Sequence, residues 1–98
     1  MKPVILDPEA ELEVEVALGA SSEPEIFRSA IDDALATIAK NPFEAAKVGR
    51  SEEIRQLIVP RPYPYSLIFA IEPDRIYVLA FAHHKRRPGY WKSRLRKS

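Results

Sequence analysis

The sequence contains no cysteine, which excludes disulfides, thiolate zinc sites and cysteine nucleophiles together. No apolar run approaches the ~20 residues of a membrane-spanning helix. There is no internal repeat and no low-complexity tract. The first residues turn acidic from Asp7 after a short apolar stretch, which does not read as a secretory signal, so a soluble cytoplasmic protein is expected. Acid is absent from one whole segment: residues 83–98 hold seven bases and no carboxylate, whereas residues 1–33 hold nine acids and two bases. The net charge of +1 conceals this gradient. Such a cationic end meets a polyanion or acidic partner, or else it is a solvated tail.

What is present is ordinary for a globular chain. Its 98 residues are 46% hydrophobic and 30% charged, enough for one domain over 1–98 and too few for a second core.

Pro3 to Leu6 reads as a short strand with proline at its start, where a missing N–H is tolerated. Asp7, Pro8 and Glu11 have the spacing of a helix start. The following Leu12, Val14, Val16 and Leu18 alternate with Glu11, Glu13, Glu15 and Ala17, a period of two that favours a strand with a solvated acidic face. Gly19 ends this element on either reading. Ser22 and Glu25 have capping-box spacing ahead of a helix to Pro42. Its apolar stripe is Phe27, Ala30, Ile31, Ala34, Leu35 and Ile38. Residues 43–52 read as a connector turning at Gly49.

Three strands are expected at 54–59, 65–71 and 75–83, from their content of Ile, Val, Tyr and Phe. The connection between the first two, with prolines at 60, 62 and 64, is too proline-rich to be a ladder interior. Glu72-Pro73-Asp74 makes a tight turn between the last two. The third run is apolar on both faces, as befits an interior strand or one with a face offered to a partner. Beyond His83, Pro88-Gly89 breaks the chain. Tyr90 to Lys97 is long enough for two helical turns that need docking, with Trp91 as the anchor. The expected fold is α+β: a small antiparallel sheet, made of the N-terminal strand plus a three-stranded meander, with helices packed on one face.

Four ordered pieces of the chain resemble the RelE/ParE superfamily of type II toxin–antitoxin toxins. They are Ala34, Ile38, Asn41 and Pro42 at the helix end, Ile54-Arg55 leading to Arg61 and then Tyr63 to Phe69, Asp74 to Ala80, and Ala82 to Trp91 with Arg94. The last is similar to a ParE-type ending. Residues 9–22 are shorter than the family's first helix. The resemblance implies one of two activities. ParE-like members inhibit DNA gyrase by binding, and RelE-like members cut mRNA on the ribosome. Both are silenced by an antitoxin. An inactive relative that keeps only antitoxin binding is a third outcome.

Metal-independent RNA cleavage needs a proton acceptor, cations for the phosphorane and a proton donor. His83 or His84 suits the proton steps, Arg61, Arg86 and Arg87 the phosphate, and Tyr90 a base stack or the acid position. Successive strand residues face opposite ways, so His83 and His84 do not combine into one site. No metal site and no cofactor are implied. As a binding surface, the basic and aromatic residues Arg61, Lys85, Arg86, Arg87, Tyr90, Trp91 and Arg94 would meet the target, with Trp91 more naturally a dock for the tail.

Overall fold

The computed structural model describes residues 1–97, and its account of side chains ends at Leu95. The side chains of Arg96 and Lys97, and Ser98 as a whole, therefore lie outside the described residues, as does that part of the expected cationic end. The elements in chain order are β1 (Val4–Leu6), α1 (Pro8–Gly19), α2 (Pro24–Lys40), a 3-10 turn (Pro42–Glu44), β2 (Ala46–Lys47), β3 (Ile54–Ile58), β4 (Tyr65–Ile71), β5 (Ile76–His83) and a 3-10 segment (Lys92–Lys97). They form one five-stranded sheet in the order β1-β5-β4-β3-β2.

The expected α+β architecture holds, with both helices on one face. The sheet is antiparallel except at β1, which lies parallel to β5 with Leu6 opposite Val78. The hairpin turn forms as expected, with Glu72 N–H donating to Arg75 O at 2.9 Å.

Residues 8–19 are helical throughout, which overturns the strand favoured by their alternation. The reason lies in the residues before them. Asp7 is fully buried. Its Oδ1 accepts from Glu9 N–H at 2.8 Å, and its Oδ2 accepts from the Tyr77 hydroxyl at 2.8 Å. Pro8 fits the first helical position, and Glu9 and Glu11 favour the positive helix end. Ala10, Val14, Ala17 and Leu18 then face the core at helical spacing. The alternation leaves Leu12 and Val16 on the outside, 58% and 66% exposed. Residues 20–23 join α1 to α2, so the helical hairpin is present despite its shortened sequence.

In α2, Phe27, Ile31, Ala34 and Ile38 are buried as expected. The capping box between Ser22 and Glu25 is not formed. Pro24 takes the first helical position, which makes Glu23 the cap residue without a side-chain bond. Ser21 Oγ accepts from Glu23 N–H instead, at 3.1 Å. The connector turns at Gly49, whose φ is +61°, and it also contributes the small strand β2. Arg55, buried on β3, secures this stretch by donating to the carbonyls of Phe43 and Ala45, each at 3.0 Å.

The two sheet faces have separate cores. Leu67, Phe69, Ile71, Ile76, Val78 and Phe81 pack under the helices. Ile68, Ala70, Tyr77, Leu79 and Ala80 pack under Trp91 on the other face. An irregularity in the β4–β5 ladder pairs Ile68 with Ala80 but Phe69 with Val78, leaving Leu79 as the extra residue. The apolar character of β5 on both sides is thus explained by two coverings. The end of the chain forms helical turns of the 3-10 type, over Lys92–Lys97. Its bonds span three residues, as in Lys92 N–H to Gly89 O at 3.0 Å.

Asp7→Ala removes the cap and strands the Tyr77 hydroxyl in the interior. Unfolding free energy by urea denaturation should fall by about 2–4 kcal/mol. Tyr77→Phe, which leaves the cap bond intact but takes the donor from Asp7 Oδ2, should cost about 1.5–3 kcal/mol.

Candidate functional site

β1 pairs with β5 only as far as Val78. Past that point α1 and the C-terminal segment take the place of a neighbouring strand. Glu13 reaches in from α1. Its Oε1 accepts from Phe81 N–H and from Arg94 Nη1, both at 3.0 Å. Its Oε2 accepts from the Tyr90 hydroxyl at 2.7 Å and from Arg94 Nη2 at 3.1 Å. Arg94 Nη1 also donates to Leu79 O, the carbonyl of the extra residue, at 2.9 Å. The Arg94–Glu13 pair is thus bidentate, and the two side chains are only 10% and 16% exposed. Arg86 stands further out, 3.8 Å from Glu13 Oε2, with its guanidinium carbon 3.8 Å from the Tyr90 ring centre.

This packing shifts ionisation. Burial first, then the bond to Glu13 and its charge, pushes the Tyr90 phenol up to about 12. At neutral pH Tyr90 is therefore a fixed donor and not a base. Burial opposes the Arg94 charge, but the bonds to Glu13 outweigh it and hold the guanidinium above its usual range.

His83 ends β5 and His84 begins the turn after it; their rings take different partners, while both residues line the smaller of the two hollows beside them. His83 sits edge-on to the Tyr65 ring, with centres 5.0 Å apart, and its Nδ1 accepts from Lys85 N–H at 3.0 Å. His84 Nε2 lies 3.0 Å from Ser66 Oγ, which also accepts from Gln56 Nε2 at 3.2 Å. A hollow of about 340 Å³ opens on the helix side of His83, lined by Leu12, Val16, Tyr65, Phe81 and Arg86 among others. A second, of about 230 Å³, opens on the other face beside His84, Arg87 and Trp91.

The structure thus divides the residues expected to act together. Arg86, Tyr90 and Arg94 converge on Glu13. Trp91 is buried against the sheet. Lys85 and Arg87 are exposed. Arg61 is exposed on the loop between β3 and β4 and lines neither hollow. The cationic end is therefore part scaffold, part surface.

Glu13 was expected on a solvated acidic face, and that expectation is corrected. On a helix begun at Pro8, Glu13 shares the i, i+3, i+4, i+7 face of Ala10, Val14 and Ala17. A carboxylate among those core positions is the signal that it has a buried partner.

No family model and no curated protein matches the chain. Among solved structures, a chain of the chromosomal ParDE TA system from P. aeruginosa is similar, with a TM-score of 0.63 at 17% identity over 85% of this chain and 96% of that one. This likeness establishes the fold: the chain is an α+β protein with the ParDE-chain architecture. Among the described residues, no helix is long and apolar enough to cross a membrane.

Glu13→Ala leaves the Arg94 charge buried without its partner and should lower the unfolding free energy by about 3 kcal/mol in urea. Tyr90 gives a pH signature. Its raised folded value means that its stabilising contribution is complete below the ordinary tyrosine value and is lost as pH rises toward about 12. Thermal unfolding in the alkaline range should therefore show a steeper loss for wild type than for Tyr90→Phe.

Proposed function

We propose that the chain is the toxin of a bacterial toxin–antitoxin module, acting in the ParE manner: it inhibits DNA gyrase by binding and is neutralised by a cognate antitoxin in the cytoplasm. The ordered motifs and the ParDE-like fold support the module assignment. The observation that carries binding over catalysis is the engagement of the groups a nuclease would need free. Tyr90 is committed to Glu13, Arg86 is stacked on Tyr90, and His83 accepts a backbone N–H through Nδ1. Arg61 lines neither hollow beside them. What remains outward is suited to protein contact. The exposed pair Leu12 and Val16 offers the antitoxin an apolar hold, and Lys85 and Arg87, with the outer part of Arg86, offer the target a cationic one.

Expression of the chain alone should arrest growth, a co-expressed antitoxin should relieve the arrest, and the purified protein should inhibit gyrase supercoiling. Arg86→Ala combined with Arg87→Ala should raise the concentration for half-inhibition roughly tenfold. Unchanged inhibition in this double variant removes the basic end as the effector surface. Codon-linked cuts in primer extension on cellular mRNA, with gyrase unaffected, would replace this reading with a RelE-like endonuclease. Antitoxin binding without growth arrest would mark an inactive relative.

A further inference from the structure

The turn after β5 carries the exposed cations Lys85 and Arg87. Two backbone bonds shape its start, His84 N–H to Pro64 O at 2.8 Å and Arg86 N–H to His83 O at 2.9 Å. Its other ties there are to imidazole rings. His83 Nδ1 accepts from Lys85 N–H at 3.0 Å, and His84 Nε2 lies 3.0 Å from Ser66 Oγ. The surroundings decide the direction of that second bond. Ser66 is 2% exposed, and its hydroxyl has one proton. Gln56 Nε2 already donates to Ser66 Oγ at 3.2 Å. Among the described residues no acceptor other than His84 bonds this hydroxyl. Ser66 therefore donates to His84 Nε2.

Each histidine thus serves the turn as an acceptor, and a ring nitrogen accepts only while it is unprotonated. A proton on His83 Nδ1 sets one N–H against another, that of Lys85. A proton on His84 Nε2 aims two donors at Ser66 Oγ and leaves the serine's own proton buried without an acceptor, which is costly. His83 is half-buried and His84 exposed, so both rings exchange protons with solvent as pH falls through the range in which histidine changes charge. Around His83 stand Tyr65 from β4, Glu9 and Glu13 from α1, Arg94 from the C-terminal segment, and Arg86. Around His84 stand Arg86, Arg87 and Tyr90. Among the described residues no carboxylate lies within ion-pair distance of either ring, so no partner is waiting for an imidazolium.

We propose that His83 and His84, with Ser66 and Gln56 behind them, are positioning residues for the binding surface: they hold residues 84–88 in the shape that presents Lys85 and Arg87, and acid releases that shape. Engagement of gyrase then weakens on acidification, although two positive charges are added to a cationic surface. Charge alone gives the opposite sign for an acidic target. The consequence for the target rests on the binding reading above, whereas the acid-labile turn stands on geometry alone.

The test pairs NMR of the labelled full chain with a binding titration against purified gyrase, both from about pH 7.5 to about pH 5.5 at constant ionic strength. Nitrogen relaxation should show residues 84–88 ordered at the upper end and mobile at the lower, while α2 keeps its dispersed signals. Gyrase binding should weaken about fivefold over the same interval. His83→Asn combined with His84→Gln supplies an amide oxygen at each acceptor position and does not titrate. This double variant should retain binding at the upper pH and flatten the profile. Ser66→Ala, which removes the donor to His84 without adding bulk, should mobilise residues 84–88 already at the upper pH. A wild-type turn equally rigid throughout, a profile unaltered by the double variant, or gyrase binding that tightens with acid overturns the proposal. Loss of order on acidification in a chain that binds no gyrase at any pH upholds the positioning role and removes the gyrase reading instead.

Discussion

One carboxylate closes this fold. Glu13 accepts from the Phe81 backbone, the Tyr90 hydroxyl and both terminal nitrogens of Arg94. It does so where β5 has outrun its neighbour β1. An open strand edge presents unpaired backbone groups and invites pairing with another chain. Here a side chain from a helix and a guanidinium from the C-terminal segment take those groups. The same bonds fix the path of residues 90–94, which in turn lays Trp91 on the second core. Removing this one acid would therefore affect the sheet edge, the tail and the cover of the second face together.

This arrangement explains why a cationic end need not be a surface. Arg94 serves the scaffold, and Arg86 is shared between Glu13 and the Tyr90 ring. The charge available to partners resides in Lys85, Arg87 and the outer part of Arg86. The acidic N-terminal third and the basic C-terminal end, opposed along the sequence, are in part each other's counter-ions.

The central elements were legible from the chain because their signals are local. The stripe from Phe27 to Ile38 has one reading, the prolines at 60, 62 and 64 punctuate, and Glu72-Pro73-Asp74 turns. The element at 8–19 was misread because its alternation dominates the pattern, while the deciding group, Asp7, is secured by Tyr77, seventy residues away. Glu13 was misread for the same reason. A two-residue strand such as β2 leaves no periodicity, and its position depends on Arg55. Ser66 and Gln56 became visible as supports of His84 only once the β3–β4 register was known.

Two buried polar ties of the N-terminal region run to the last quarter of the chain, Asp7 to Tyr77 and Glu13 to Arg94. β1 likewise has no strand partner before Ile76. Contacts this distant in sequence make folding wait on the synthesis of residues 76–94. During translation, α1 is synthesised early, and Glu13 lacks its Arg94 partner until residue 94 has emerged from the ribosome. A nascent chain halted before that point would lack the seal on the sheet edge and the cover of the second face, so the finished surface comes into being only once residues 91–94 are in place.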